Sequence, residues 1–279
     1  MKKVVRMLGL CALVALAFTA CKKDDTKSVT FSASMPKTVS DARTHAQGMD
    51  LVWDDGDAIK VFNGAGVNYD FTLTDKVDKD ATFFVDDVDK VSFLSELQTA
   101  DYTAFYPGAV VDGSNVRLTI PATQTYVQQH NFENGLYPMV GFNNADNFEF
   151  QSNAGFLNVS FYAPSGETRQ VDKLVLIANE DIAGDLVYAQ DGLSYVFEGT
   201  SNVITLLCES KQTIPSDGLQ RDFTFVLPEG TLADGFTVEL YDGETFMGSF
   251  TTQNPVNVID AQTFTNMYAI QLPYFVSNS

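Results

Sequence analysis

The sequence carries few side chains that could perform catalysis. It contains two histidines, His45 and His130, and both lie in polar stretches without periodic hydrophobicity. Catalysis needs several groups at a suitable spacing, and the sequence shows no nucleophile elbow, phosphate-binding glycine loop or zinc-ligand spacing. A lone histidine in a loop is more often a surface residue than a catalyst. We therefore expect a protein that is not an enzyme and that needs no cofactor.

Two acidic clusters carry the oxygen ligands that Ca²⁺ prefers. Both lack the glycine and the terminal glutamate of the EF-hand loop, so solvated turns are the favoured interpretation and no metal site is predicted. The clusters are Asp75, Asp78 and Asp80, and Asp86, Asp87 and Asp89.

The first 20 residues have the features of an export signal. Three basic residues lie among the first six, residues 8–17 form an apolar run, and small residues lead into Cys21. An apolar run of about ten residues is too short for a transmembrane helix, which needs roughly twenty. The stretch resembles a bacterial lipobox, with Phe18 where leucine is usual. We predict a signal peptide at residues 1–20 and a lipidated, palmitate-bearing Cys21; the alternative is a plain secretory signal with an incidental cysteine.

Residues 21–27 are polar and charged, which predicts a lipidated tether. The run Lys22-Lys23-Asp24-Asp25 resembles a signal that carries some lipoproteins to the outer face of the outer membrane. The alternative is a solvated start to the tether. Acyl chains contribute about 0.8 kcal/mol per buried methylene, so several chains on one cysteine would anchor the protein. We expect the chain at the cell outer membrane, exposed on its surface.

The charge of the chain excludes one class of partner. Removal of the signal leaves 14 basic and 36 acidic residues, a net charge of about −22. Such a chain repels phosphate backbones, so nucleic acid is not an expected partner. It also repels anionic lipid, which makes a covalent anchor the better explanation of membrane attachment.

The cysteines leave no pair for an internal disulfide. Cys11 is lost with the signal and Cys21 carries lipid, so only Cys208 remains. Cys208 lies in the apolar run 203–208, where we predict a small core hydrophobe rather than a reactive thiol.

Alternating side chains predict an all-β fold. Val29, Phe31, Ala33 and Met35 alternate with small polar residues, which is the pattern of a half-buried strand. Similar runs recur along the chain, and most of the six Asp-Gly pairs fall between such runs. This spacing predicts two tandem β-sandwich domains. The predicted domains are residues 28–146 and residues 147–279.

The order of these features resembles the fimbrillin-like proteins, which build or decorate type V pili on anaerobic Gram-negative bacteria. The resemblance covers essentially the whole processed chain and rests on the order and spacing of several motifs. The motifs are the lipobox at Cys21, the strand at 29–35, the segment around Arg43, the Trp53-Asp54-Asp55-Gly56-Asp57 run continuing to residue 62, residues 102–107, residues 118–124, Tyr137-Pro138-Met139 and Ala154-Gly155-Phe156-Leu157.

The resemblance implies two Greek-key, transthyretin-like β-sandwiches and a role as a pilus component or adhesin. In polymerising members an arginine-specific protease cuts after the first strand, that strand leaves, and a strand from the next subunit fills the groove. Arg43 matches the processing site, and the strand at residues 29–35 would be the displaced strand. The alternative is that Arg43 is a solvated residue in an exposed connection at residues 37–49.

The C-terminal end departs from the pattern of a shaft subunit. The last apolar strand ends near Val276, and only Ser277, Asn278 and Ser279 follow. A donor of a long C-terminal strand would have more chain to spare, unless residues 268–276 are the donor. We therefore expect a tip, anchor or stand-alone role. The expected partners are the outer membrane through the lipid, other pilus subunits, and a host or bacterial surface protein or glycan.

A second function class stays open at this point, a surface glycan-binding lipoprotein that does not polymerise. Trp53, Tyr126 and Tyr137 could stack on a sugar if their rings were exposed. Core packing is the favoured interpretation for Trp53, and the other two are undecided.

Overall fold

The computed structural model describes residues 29–36, 39–40, 51–63, 66–77, 79–85, 102–128, 132–133, 135–144, 147–216, 218–252 and 257–272. Every regular element within these ranges is a β-strand, 23 strands in all, so the predicted all-β class is confirmed. The described ranges contain no helix long and apolar enough to cross a membrane. The predicted signal peptide, the tether, Cys21, Arg43 and both histidines lie outside them.

Seven strands of the N-terminal half close into a barrel in the order β1-β11-β10-β6-β3-β4-β5. Three antiparallel strands in succession, β3 to β5, are followed by β6, which returns to pair with β3. The barrel strands are β1 Val29–Ser34, β3 Ala58–Phe62, β4 Asn68–Val77, β5 Asp80–Val85, β6 Thr103–Tyr106, β10 Met139–Asn144 and β11 Asn147–Gln151.

The remaining strands form open sheets beside the barrel. One sheet has the order β17-β12-β22-β2, with β23 also on β12; a second has the order β20-β19-β13-β16-β9; a third has the order β15-β14-β8-β7; and β18 pairs with β21. These strands are β2 Val39–Ser40, β7 Val110–Asp112, β8 Asn115–Ile120, β9 Thr123–Tyr126, β12 Ala154–Tyr162, β13 Arg169–Ala178, β14 Ala183–Ala189, β15 Tyr195–Ser201, β16 Val203–Ile214, β17 Arg221–Pro228, β18 Gly230–Leu232, β19 Phe236–Asp242, β20 Thr245–Thr252, β21 Asn257–Ile259, β22 Thr263–Asn266 and β23 Ile270–Gln271.

Two hydrophobic cores meet at β12. Phe156 belongs to the core that contains the buried side chains of the barrel strands and of parts of the neighbouring sheets, here called the barrel core, whereas Leu157, Val159 and Phe161 belong to the second core. Because successive side chains of a strand point to opposite faces, β12 is buried on both faces over nearly its whole length. β12 therefore forms the wall between the two cores.

Strand pairing crosses the predicted domain boundary after residue 146. β8 pairs with β14, β9 with β16 and β2 with β22, while β11 belongs to the barrel. The division into two domains at that residue stays a prediction. The sheets themselves interleave the two halves, so the barrel rests on a scaffold to which both halves contribute.

Candidate functional site

The first strand, β1, closes the barrel by filling a slot between β5 and β11. It pairs antiparallel with β5 over six residues, from Val29 opposite Val85 to Ser34 opposite Asp80. On its other side, residues 32–34 pair in parallel with β11. Without β1, both neighbours would present an unpaired edge, and unpaired strand edges recruit other strands. We call the space between β5 and β11 that β1 occupies the slot.

The side chains of β1 alternate as the sequence predicts. Phe31, Ala33 and Met35 point into the barrel and are 6%, 0% and 7% exposed, whereas Thr30 and Ser32 are exposed. The side chain of Val29 lies outside the described residues. The strand and Met35, which directly follows it, therefore insert three apolar side chains into the core from one face.

Phe31 occupies an aromatic pocket at the centre of the slot. Its ring centroid lies 5.2 Å from that of Phe71, 5.5 Å from that of Tyr102 and 5.1 Å from that of Phe148, all in tilted arrangements. Tilted ring pairs at these distances are favourable beyond the area that they bury. Phe31 thus links β1 to β4, to β11 and to the residue before β6.

Ala33 is the small inward-facing residue of β1. It lies opposite Ala81 of β5 and beside Phe148 of β11, and it is fully buried. Small side chains on neighbouring strands leave room for the large rings that fill a barrel of this size. The slot therefore holds a small side chain at this position and a large ring at Phe31.

Hydrogen bonds hold the end of β1. The Met35 amide donates to the Lys79 carbonyl oxygen at 2.9 Å, and the Trp53 indole Nε1 donates to the same oxygen at 2.9 Å. Ser34 Oγ donates to Asp80 Oδ1 at 2.8 Å and accepts from Asn147 Nδ2 at 3.4 Å. The strand is thus fixed by side-chain contacts to both flanking strands.

Trp53 packs under this end of the slot and is 1% exposed. Its ring meets three others edge-on, with centroids 4.9 Å from Phe83, 5.3 Å from Tyr106 and 5.4 Å from Phe150. The predicted core role of Trp53 is confirmed. Its burial removes it as a sugar-stacking residue.

The acidic turn after Trp53 is a structural clamp. Asp57 accepts hydrogen bonds from the Asp54 amide at 2.7 Å and from the Tyr106 hydroxyl at 2.9 Å. Burial raises the pKa of Asp57 above its ordinary value, and burial together with the Asp57 carboxylate raises the pKa of Tyr106. Lys76 pairs with Asp54 at 3.5 Å and with Asp55 at 3.2 Å. The turn thereby joins β3, β4 and β6 below the slot.

After β1 the chain leaves the barrel for a neighbouring sheet. β2 pairs in parallel with β22, Val39 with Thr263 and Ser40 with Phe264. Within the predicted exposed connection at residues 37–49, residues 39–40 form a strand that the sequence does not predict, because a two-residue strand has no periodicity that a pattern could reveal. The exposure of this segment stays a prediction. Arg43 follows β2 by three residues, so a cut after Arg43 would separate both β1 and β2 from the rest of the chain.

The two undecided aromatic residues are also buried. Tyr126 is 2% exposed, and its ring centroid lies 5.0 Å from that of Phe223. Tyr137 is 3% exposed and stacks on Phe156 with ring centroids 4.5 Å apart. The Tyr137 hydroxyl donates to the Ala154 carbonyl oxygen at 2.9 Å. All three aromatic residues that suggested a sugar platform are core residues.

The acidic clusters are only partly described. Asp80 accepts the hydrogen bond from Ser34, and Asp75 accepts one from the Lys76 amide at 3.0 Å. Within the described part of the chain, no group of three or more His, Cys, Asp or Glu side chains is arranged to hold a metal ion. The other four aspartates of the clusters lie outside it.

The end of the described chain pairs within its own sheet. The Met267 amide donates to the Asn158 carbonyl oxygen and the Leu272 amide donates to the Tyr162 carbonyl oxygen, both at 2.9 Å. Leu272 is 2% exposed, whereas Tyr268 is 87% exposed. The described part of the alternative donor segment, residues 268–272, therefore follows β12.

Comparison with solved structures identifies the fold. A candidate cell adhesion protein from Bacteroides ovatus matches with a TM-score of 0.55 over 89% of this chain and 93% of its own length, at 12% sequence identity. The chain shares the fold of that protein. A fold shared with a candidate adhesion protein is consistent with the resemblance to fimbrillin-like proteins that the motifs show.

Other comparisons give weaker matches or none. A candidate cell adhesion protein from Bacteroides fragilis gives a TM-score of 0.43 at 7% identity, covering 87% of this chain and 93% of its own. A fimbrial protein from Bacteroides ovatus gives a TM-score of 0.37 at 11% identity, and the match covers 79% of this chain and 46% of that protein. No protein-family model matches the sequence, and no curated protein matches it.

Proposed function

We propose that this chain is a lipid-anchored cell-surface adhesion protein or pilus component that assembles by β-strand addition. Cys21 carries the lipid, the outer membrane holds it, and the two halves are tandem Greek-key, transthyretin-like sandwiches in which the barrel is the first. The shared fold with a candidate cell adhesion protein and the order of the sequence motifs support this proposal.

The observation that carries the proposal is the placement of β1. β1 is the first strand of the described chain, and it lies between β5 and β11 in the closed barrel. There it fills a slot lined by core side chains. Its removal would expose backbone donors and acceptors on β5 and β11 together with the pocket of Phe31. An incoming alternating strand would satisfy both needs.

Arg43 is the proposed processing residue. A cut after it would leave β1 and β2 attached to the protein only by non-covalent contacts. The chain would then be an acceptor for a strand from another subunit at the tip or base of a pilus. The glycan-binding alternative is not carried forward, because the aromatic residues that suggested it are buried.

The test uses the chain from Lys22 onward, treated with an arginine-specific protease. Mass spectrometry locates the cut and unboiled gel electrophoresis detects stable multimers. The matched control is Arg43→Lys, which keeps the charge and removes the protease site. We expect cleavage after Arg43, absent from the control, followed by multimers when a partner subunit is added. If the peptide bond after Arg43 stays intact under conditions in which the protease cuts the denatured chain, the proposed processing at this residue is contradicted.

A further inference from the structure

We propose that the open edge of β20 is a self-association surface, along which β20 of a second copy of this chain pairs antiparallel. The pairing would join the five-stranded sheets of the two copies into one continuous sheet. This association is separate from the proposed function, because it needs neither cleavage after Arg43 nor an empty slot.

β20 is the last strand of its sheet. Within the described ranges it pairs with β19 alone, and Met247 lies at a bulge in that pairing, so residues 248–251 form the regular part that follows. Alternate residues of an edge strand direct their N–H and C=O groups away from the neighbour that they already have. These groups are a template for one more strand. The open side of β20 can therefore pair with an incoming strand.

β20 lacks the charged side chains that usually keep edge strands apart. Its eight residues, Thr-Phe-Met-Gly-Ser-Phe-Thr-Thr, include no Asp, Glu, Lys or Arg, although the chain contains 36 acidic residues. Charged residues, short length, bulges and covering groups are the common ways in which proteins protect sheet edges. β20 has the bulge at Met247, and residues 248–251 after it carry no charge.

Other edge strands of the described sheets carry stronger protection. β15 contains Glu198, and β7 has only three residues. The edge of β17 is covered by the Gln124 amide, which donates to the Val226 carbonyl oxygen at 2.8 Å and accepts from the Val226 amide at 3.0 Å. At the edge of β9, the Glu133 amide donates to the Thr125 carbonyl oxygen at 3.1 Å. β20 is therefore the edge at which a strand can add with the least obstruction.

A second copy of β20 fits this edge because antiparallel pairing of two identical strands is isologous. Ser249 and Thr251 are exposed, and Thr251 Oγ1 lies 2.9 Å from Thr237 Oγ1 of β19. With the two-fold axis at Phe250, Ser249 of each copy lies opposite Thr251 of the other. Hydroxyl pairs across strands are favourable, whereas like charges at such positions are destabilising. An uncharged strand meets this condition with itself.

The sheet face beside the edge carries charges of both signs. Lys173 Nζ lies 4.4 Å from the Tyr241 ring centroid, and the Tyr241 hydroxyl donates to Glu239 at 2.6 Å. Phe246 packs on Tyr241 with ring centroids 5.7 Å apart and is 48% exposed. Two acidic chains repel each other at long range, so contact between copies is easiest where the local charges cancel. This face therefore suits a second copy.

The test uses the uncut chain from Lys22 onward, in which β1 keeps its place. Sedimentation velocity over a range of protein concentrations measures dimerisation at low and at high salt. The variant is Ser249→Lys combined with Thr251→Lys, which places lysines opposite each other across the two-fold axis. The matched control is Val196→Lys combined with Thr200→Lys, which makes the same charge change at exposed positions of β15. Hydrogen exchange locates the amides that dimerisation protects.

We expect a monomer–dimer equilibrium that salt strengthens, because salt screens the repulsion between two acidic chains. The β20 variant should dimerise at least about tenfold more weakly than the wild type, and the β15 control at least as tightly as the wild type. Amides within residues 248–251 should exchange more slowly in the dimer.

A chain that stays monomeric up to about 1 mM would overturn the inference. A dimer that the β20 lysines do not weaken, or one that salt dissociates, would overturn it as well. Each of these results would leave the proposed function standing, since cleavage after Arg43 is tested separately.

Discussion

The barrel and the second core are built from different side chains, and they depend differently on the first strand. The barrel core is rich in rings, whereas the second core is mostly aliphatic, between β12 and β17 on one side and β13, β16 and β19 on the other. β1 contributes Phe31 and Ala33 to the barrel core and none of the residues of the second core. We therefore expect the barrel to open at β1 while the second core stays packed.

A hairpin connects the two regions. The turn between β14 and β15 docks on the barrel, where Thr103 Oγ1 donates to the Asp191 carbonyl oxygen at 3.1 Å. Gly192 at the tip has φ of 71°, and a Cβ there would lie 2.7 Å from Val140 Cγ2. The hairpin contacts β6 and β10 rather than β1, so this connection would survive the loss of the first strand.

The largest expected effect is that of Phe31→Ala. The change removes three ring contacts and leaves a cavity in the barrel, which should cost about 3–5 kcal/mol of unfolding free energy in urea titrations. Thr30→Ala is the matched control, since Thr30 is the exposed neighbour on the same strand, and it should change the value by less than about 0.5 kcal/mol. Equal effects of the two changes would show that β1 is not part of the core.

Cys208 can report on the second core while the barrel is perturbed. Burial raises the pKa of the Cys208 thiol from its ordinary 9.0 to about 12. Because the thiolate is the reactive form, alkylation of the folded chain near neutral pH should be roughly a hundredfold or more slower than that of the unfolded chain. The chain from Lys22 onward has Cys208 as its single thiol. The Cys208 thiol should stay protected from alkylation in the Phe31→Ala variant. Rapid alkylation of Cys208 in the folded variant would contradict the expectation that the second core stays packed when the barrel is perturbed.

Gly192→Ala should weaken the connection between the regions. The new Cβ meets Val140 and Thr103 at 2.7 and 2.8 Å, and we expect a loss of about 1–3 kcal/mol beyond the cost of the positive φ. Gly243→Ala is the control, because Gly243 has φ of 61° and a Cβ added there would meet no atom within 4 Å, so it carries the backbone cost alone. Urea titrations compare the two, and identical losses would contradict tight docking of the hairpin.

The smallest effect concerns Asp57 in the clamp. Burial raises its pKa, so the folded chain binds this proton more tightly than the unfolded chain. The resulting stability is present below about pH 4 and is lost as the pH rises through the folded value. The unfolding free energy of the wild type minus that of Asp57→Asn should therefore fall over that window and level off above it. A constant difference from about pH 3 to about pH 7 would contradict the raised pKa.

Local patterns predict the strands better than their partners. The alternation of Phe31, Ala33 and Met35 identifies β1 because only one face of it is buried. The parallel pairing of β1 with β11 leaves no local signal, since the partners are more than a hundred residues apart. The aromatic residues at 126 and 137 could not be assigned, because burial of a ring depends on which sheet packs over it.

β12 shows a second limit of sequence patterns. The alternation of Leu157, Val159 and Phe161 with polar residues predicts one solvent-facing side. Asn158 and Ser160 are instead buried, and their polar atoms are satisfied by Asn266 at 3.1 Å and Asp222 at 2.5 Å. Burying a polar group costs the folded state little free energy when the group has a hydrogen-bond partner. A polar position in the pattern therefore does not by itself establish exposure.

Hydrogen exchange on the chain cut at an inserted site after Arg43 tests the central claim most directly. The amides of β5 and β11 should exchange much faster once β1 and β2 are removed in mild denaturant, while those of β13 and β16 keep their protection. Refilling with native peptide 28–36 should restore slow exchange at β5 and β11. Loss of protection in all four strands together, or in none, would contradict a slot that opens on a stable scaffold.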